Sequence, residues 1–230
     1  MKVAAVATAW QEGDIAAKFI EHTLSHGVDR IYVAYSPSDD GTGRILRSYR
    51  EVTVILDTEP YHYQPLWMTR LAYQAGDDGA DWIIATDLDE FWYATDGGPI
   101  PKALEQLPDN IGRVYARQYR QWGDYRQPEA NPHPKVAFRA CPTAQVANGN
   151  HDVTGLPGLS ATEVLDLREQ HFRSLEHMKR KVAERIARID PSLPLTDGTH
   201  IRELGGFTDE QFAARYEEMV ALGTVYDPIP

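Results

Sequence analysis

The strongest structural signal in the chain is the run Asp81-Trp82-Ile83-Ile84-Ala85-Thr86-Asp87-Leu88-Asp89-Glu90-Phe91. Trp82 to Ala85 is wholly apolar, as in strands buried on both faces, and it ends abruptly in acids. In a parallel sheet, ligands gather beyond the carboxyl ends of the strands, where loops converge. Asp87 and Asp89 fall at such an end. Residues two apart in extended backbone point the same way, so both carboxylates can face one site while Leu88 turns to the core. Paired carboxylates oppose each other's ionisation, and a divalent cation relieves that repulsion. Magnesium or manganese suits such oxygens better than zinc does. The plain alternative is a turn that carries two aspartates, but Glu90-Phe91-Trp92-Tyr93 directly behind it favours a pocket.

Upstream, strand-like and helix-like stretches alternate. Val3 to Ala9 is a continuous run of small residues, apolar but for Thr8. Asp14 is placed to cap a helix with Ile15, Phe19, Ile20 and Leu24 at helical spacing, and Gly27 to end it. Ile31 to Tyr35 reads as a second strand, Ser36 to Gly43 as a turn, Val52 to Leu56 as a third strand and Leu66 to Ala75 as a helix. This alternation predicts an α/β fold with a mixed, mostly parallel sheet flanked by helices. Downstream, Arg113 to Gln118 and Val136 to Arg139 read as strands around the polar and aromatic segment Trp122 to Pro134. Asn148 to Gly158 reads as a mobile loop. Ser174 caps a helix with Leu175, Met178, Val182, Ile186 and Ile189 on its buried face, stopped by Asp190-Pro191. The last helix opens on the capping box Thr208-Asp209-Glu210-Gln211 and buries Phe212, Tyr216 and Val220.

With 230 residues, 42% of them hydrophobic, the chain can bury a core as one domain. Its 34 acidic and 23 basic residues give a net charge of −11, which disfavours nucleic acid and anionic membrane surfaces. No apolar run approaches the roughly 20 residues of a membrane span, and Met1 to Val6 has no leader pattern, so a cytoplasmic protein is expected. The single cysteine, Cys141, reads as a packed thiol in a reducing compartment.

The run from Asp81 to Phe91 resembles the Trp-hydrophobic-x-Asp-x-Asp-Glu-Phe signature of the family 2-like glycosyltransferases with the GT-A, Rossmann-like fold. Gly27-Val28-Asp29-Arg30-Ile31-Tyr32-Val33 and Ser38-Asp39-Asp40-Gly41-Thr42 are similar to that group's second strand and following turn. Trp10-Gln11-Glu12 stands where the group has Lys-Asn-Glu, keeping only the acid. Lys135 to Arg139, Gly149-Asn150-His151, and His171-Phe172-Arg173-Ser174 with Lys181 resemble its later motifs, so the likeness runs from about Val3 to Lys181.

The resemblance implies one domain over 1–230, with a nucleotide-sugar-binding half (1–95), an acceptor and metal half (96–190) and a helical tail (191–230). It implies manganese- or magnesium-dependent transfer of a sugar from a nucleotide-diphosphate sugar to a hydroxyl of a glycan or small molecule, with inversion. Glu12 and Asp40 would lie near the nucleoside, and Tyr35, in place of the group's usual aspartate, could stack on the base. Asp87 would lie near the ribose and metal, Asp89 on the metal. A later histidine often joins the metal; His171 is assigned there and His151 to the acceptor side. Arg173 and Lys181 are placed near the diphosphate, while Lys179, Arg180, Arg185 and Arg188 read as a solvated helix face. Inversion needs a carboxylate to take the acceptor's proton, and Asp124 and Asp152 are both candidates. Trp122, with Tyr119 and Tyr125, offers a platform for an acceptor sugar or a piece of ordinary core. Two other classes fit clustered acids: a metal-dependent phosphoesterase or pyrophosphatase, and a non-catalytic nucleotide-sugar binding module. The sugar, base, acceptor and oligomeric state are not legible.

Overall fold

The structure, a computed structural model, describes residues 1–61, 63–190 and 199–230. Pro191, expected to stop a helix, and the start of the 191–230 tail lie outside the described residues. The first part alternates strictly: β1 (Val3–Ala9), α1 (Ala16–Ser25), β2 (Arg30–Tyr35), α2 (Thr42–Ser48), β3 (Val52–Leu56), α3 (Gln64–Asp77) and β4 (Trp82–Ala85). There follow β5 (Glu90–Ala94), α4 (Ile100–Glu105), β6 (Ile111–Trp122), β7 (Tyr125–Arg126), β8 (Lys135–Arg139) and β9 (Gln145–Val146). After a 3-10 turn over Asn148–Asn150 come β10 (Val153–Thr154), β11 (Leu159–Glu169), α5 (Leu175–Ala187), α6 (Thr199–Leu204), α7 (Asp209–Ala221) and β12 (Val225–Tyr226).

The main sheet runs β3-β2-β1-β4-β8-β6, with β11 beside β6 and β5 beyond β11. β3, β2, β1 and β4 are mutually parallel, β8 is antiparallel to β4 and β6, β11 is parallel to β6, and β5 is antiparallel to β11. This is the mixed, mostly parallel sheet expected. Small residues in β1 serve both faces: Val3, Ala5 and Ala7 pack under Phe19 and Ile20 of α1, while Ala4 and Val6 pack under Met68, Leu71 and Ala75 of α3. Each large side chain so buried contributes about 1.5–3 kcal/mol. A separate cluster of Phe172, Met178, Val182, Ile201, Phe212 and Met219 joins α5, α6 and α7.

Several local expectations need correction. Asp14 caps nothing: Ile15 holds the N-cap position of α1 without a side-chain cap, and Asp14 is drawn off by Arg173. Asp87 to Glu90 is a tight turn, closed by the Glu90 amide donating to the Asp87 carbonyl at 3.1 Å, and not extended backbone. The 148–158 segment is tied down: the Gly149 amide donates to Gln64 Oε1 at 2.9 Å, Asn150 is fully buried, and β9 pairs with β10. Ile186 and Val220, expected inside, are 37% and 36% exposed, and Met219 takes Val220's place in the core.

Candidate active site

A cleft of about 940 Å³ opens at the carboxyl ends of β1, β2 and β4 and extends under β6, β8 and α5. Its floor holds the tightest convergence of donors. Asp89, from the turn after β4, Glu169, the last residue of β11, and His171, two residues on, bring ligand atoms within 4.8 Å of one another. Opposite ligands of a magnesium-sized ion stand about 4.2 Å apart, so the cluster has the dimensions of a coordination sphere. The chemistry fits as well. His171 Nδ1 lies 3.0 Å from Glu169 Oε1, which leaves Nε2 free, the carboxylate-histidine arrangement that orients a metal-binding imidazole. Glu169 Oε2 is buried and accepts no hydrogen bond.

Charge states suit a cation. Burial depresses His171 to about 4, so its imidazole is neutral and can ligate near pH 7. Burial alone would raise Asp89, but the Lys181 ammonium, 2.5 Å from Oδ2, together with His171 and Arg185, outweighs it and holds the carboxyl below its usual range. Glu169 is likewise held low against burial, chiefly by its contact with His171. Glu12 also faces this floor, 4.0 Å from Lys181, and burial raises its carboxyl.

Asp87 lines the cleft but stands apart from that cluster. Its Oδ1 accepts from Gln64 Nε2 at 2.9 Å and Asn150 Nδ2 at 3.3 Å, and its Oδ2 from Lys135 Nζ at 3.0 Å. Lys135 is buried and also touches Glu90 Oε1 at 2.6 Å. One ammonium therefore balances two acids behind the turn, and Asp87 and Glu90, more than burial opposes it, raise the Lys135 pKa.

The remaining expected residues divide sharply. Glu12, Asp87, Asp89, His151, His171 and Lys181 line the cleft. Tyr35 does not: it is 4% exposed, its hydroxyl is engaged by Ser38, and its ring packs beside Gly43, so it cannot stack on a base. Asp40 faces outward, where it accepts from the Gly13 amide at 2.7 Å and from Thr42, fastening the β1–α1 loop to α2. Arg173 spends its guanidinium on Asp14 and Glu12, at 2.7 and 2.8 Å, and props the β1–α1 loop from behind. Trp122 packs against the α5–α7 cluster. Asp124 sits in the β6–β7 turn, and Asp152 accepts from the Tyr115 hydroxyl at 2.6 Å; neither candidate base lines the cleft. Residues not anticipated for the site include Trp10, Gln64, Arg120, Lys135, Glu169, Arg185 and Arg188.

Fold and site together define an α/β structure of the GT-A type with a candidate divalent-cation site at its strand ends. The chain matches no protein-family profile and no curated protein sequence. Among solved structures, TarS 1-349 from S. aureus in complex with UDP-GlcNAc aligns over 97% of this chain and 82% of its own, with a TM-score of 0.50 and 11% identity. HddC from Yersinia pseudotuberculosis covers 72% of this chain and 92% of its own, with a TM-score of 0.39 and 12% identity. Glucosyl-3-phosphoglycerate synthase from Mycobacterium tuberculosis, solved with Mn2+, UDP and phosphoglyceric acid, aligns over 52% of this chain at a TM-score of 0.35 and 16% identity, and this chain spans 43% of it. The likeness to TarS is one of fold. Among the described residues, no helix is long and apolar enough to cross a membrane.

Proposed function

We propose that this chain is a metal-dependent glycosyltransferase that moves a sugar from a nucleotide-diphosphate sugar to an acceptor hydroxyl, with inversion. The observation that carries this reading is the convergence of Asp89, Glu169 and His171 on the floor of a cleft at the strand ends of a GT-A-type sheet. TarS, of like fold, was solved with a UDP-sugar, which supports a sugar nucleotide as donor.

Asp89 and His171 Nε2 hold manganese or magnesium in this proposal, and Glu169 fixes the imidazole. The bound cation supplies Lewis-acid stabilisation of the departing diphosphate. Lys181, beside Asp89, adds a second positive charge there. Asp87, immobilised by Gln64, Asn150 and Lys135, offers its one-quarter-exposed edge to the donor's ribose. The acceptor, a glycan or a small molecule, enters on the β6–β8 side, past Gln118, Asn131, His133 and His151. Inversion requires a carboxylate to take its hydroxyl proton. Glu169, a carboxylate on the cleft floor, fills that role in place of Asp124 or Asp152, neither of which lines the cleft.

A thermal-shift screen of sugar nucleotides with and without manganese tests this, because a ligand that binds only the folded state raises its stability. One donor should stabilise the protein only with metal, followed by slow, manganese-dependent release of nucleotide. Release of phosphate from simple esters would point to the phosphoesterase or pyrophosphatase class. Donor binding without turnover would point to a binding module. No stabilisation by any sugar nucleotide removes the proposal.

A further inference from the structure

At the β1–β2–β3 end of the cleft, Arg188 occupies a place shaped for something flat. It is the C-cap of α5, and its guanidinium carbon lies 4.7 Å from the centroid of the Trp10 ring. Its Nη2 donates to Ser36 Oγ at 3.0 Å and stands 3.9 Å from Asp57 Oδ2. Ser36 Oγ donates in turn to Asp57 Oδ2 at 3.0 Å, and Asp57 is 2% exposed. Two residues beyond Arg188, Asp190 Oδ2 accepts from the Tyr63 hydroxyl at 2.9 Å, just ahead of α3. The end of α5 is thus fastened to both rims of the cleft mouth. An arginine head is planar and presents only N–H donors. The seat around it is an indole face and a hydroxyl whose own hydrogen is committed to a buried carboxylate, which is the complement of a flat heterocycle with a ring N–H.

We propose that Arg188 is a displaceable plug in the nucleobase seat, and that a base with a ring N–H (uracil, thymine or guanine) replaces it by donating to Ser36 Oγ, where the arginine now does and whose own hydrogen is committed to Asp57. This rests on the glycosyltransferase reading. Cytosine and adenine turn a bare ring nitrogen to that hydroxyl oxygen, whose hydrogen Asp57 holds, acceptor against acceptor, and are refused. α5 also carries Lys181 on Asp89, so freeing its end couples arrival of the base to the cation site.

Calorimetric titration of the full chain with UDP, GDP, CDP and ADP, manganese present, tests the plug in wild type, Arg188→Ala and Arg188→Gln. A binding-competent state that is only fractionally populated weakens apparent affinity by that fraction. Both variants should therefore bind UDP or GDP at least about threefold more tightly than wild type. CDP and ADP should stay at least about tenfold weaker, the cost of one unpaired buried polar group. If alanine compromises folding, glutamine keeps a planar head. Unchanged or weaker UDP and GDP binding in the folded variant makes Arg188 a ligand contact and overturns the plug. Equal binding of CDP and ADP overturns the ring N–H rule. Binding of none of the four to any of the three proteins overturns the glycosyltransferase reading itself, and the plug with it.

Discussion

Lys181 and Asp89 form an ion pair with side chains 7% and 5% exposed, held at 2.5 Å in the cleft floor. Removing one partner of such a pair strands the other charge, at a cost of about 3–5 kcal/mol. Asp89→Ala should therefore lower stability by that order as well as abolish manganese-dependent donor binding. Asp89→Ala/Lys181→Met should regain much of the stability and none of the binding, as read from urea unfolding and calorimetry; equal stability of the single variant and wild type would show the pair to be solvated. Glu169→Gln keeps the shape beside His171 but not the charge. Its manganese affinity should fall about 10- to 100-fold, the usual effect of an outer-shell partner, and full affinity would take Glu169 out of the site. Asp87 and Asp89 were legible because two acids two residues apart end an apolar strand. Glu169 and His171 have the same spacing at the end of β11, and the rule would have found them had that strand been recognised. Lys135 gave one signal, a charge opening the apolar stretch Val136 to Phe138 that Arg139 closes, and Arg188 gave none, because its partners Trp10, Ser36 and Asp57 are brought to it only by the fold.

The elements most visible in sequence are those whose burial is uniform. β4 is apolar from end to end, β1 but for Thr8 and β2 but for Arg30 at its start, and α1 ends where Gly27 takes a φ of +89°. α2 was hidden inside a turn-rich run. It begins with Thr42-Gly43, and Gly43 is required because a Cβ there would stand 2.5 Å from Tyr35 Cε1. β11 was hidden for a different reason: its first half is exposed and polar, and its pairing with β6 shifts register between Thr162 and Asp166, next to Glu163 at a φ of +64°. α5 is the element that joins the two ends of the cleft, with Lys181 at one and Arg188 just past the other. Ser174 Oγ caps it by accepting from the His177 amide at 3.0 Å. Ser174→Ala should cost about 1 kcal/mol of stability, seen as a lower urea midpoint at unchanged slope. Ser174→Asp, which keeps an acceptor and adds a charge favoured at a helix N-terminus, should restore it; no loss on the alanine change would mean the cap is replaced by water.

Across the whole molecule, the expected halves are woven together: β4 pairs with β8 and β5 with β11, so the cation site draws Asp89 from one side of residue 95 and Glu169 and His171 from the other. A site assembled this way exists only when the sheet is complete, which ties its chemistry to global stability. Buried imidazoles bear on that stability. His22 and His171 are depressed to about 4 and His177 to about 3, in each case chiefly by burial. Such groups take up protons in the unfolded chain near pH 6.5 but in the folded chain only well below it. The unfolded state therefore binds more protons in this window, and the stability they contribute, complete above about pH 6.5, is lost as pH falls toward 4. Glu12 and Glu90, whose carboxyls burial raises, work in the opposite sense. His22 isolates the histidine share, because it lies away from the cleft, with Nε2 2.9 Å from the Trp92 carbonyl and its ring 4.1 Å from that of His26. His22→Gln should leave manganese binding unchanged. The stability gap between wild type and His22→Gln, measured by urea unfolding in metal-free buffer, should be widest at pH 7.5 and close as pH approaches 4. A gap that stays constant across that range would mean His22 titrates alike in both states, and that the packing of α1 against β5 leaves its ring open to water.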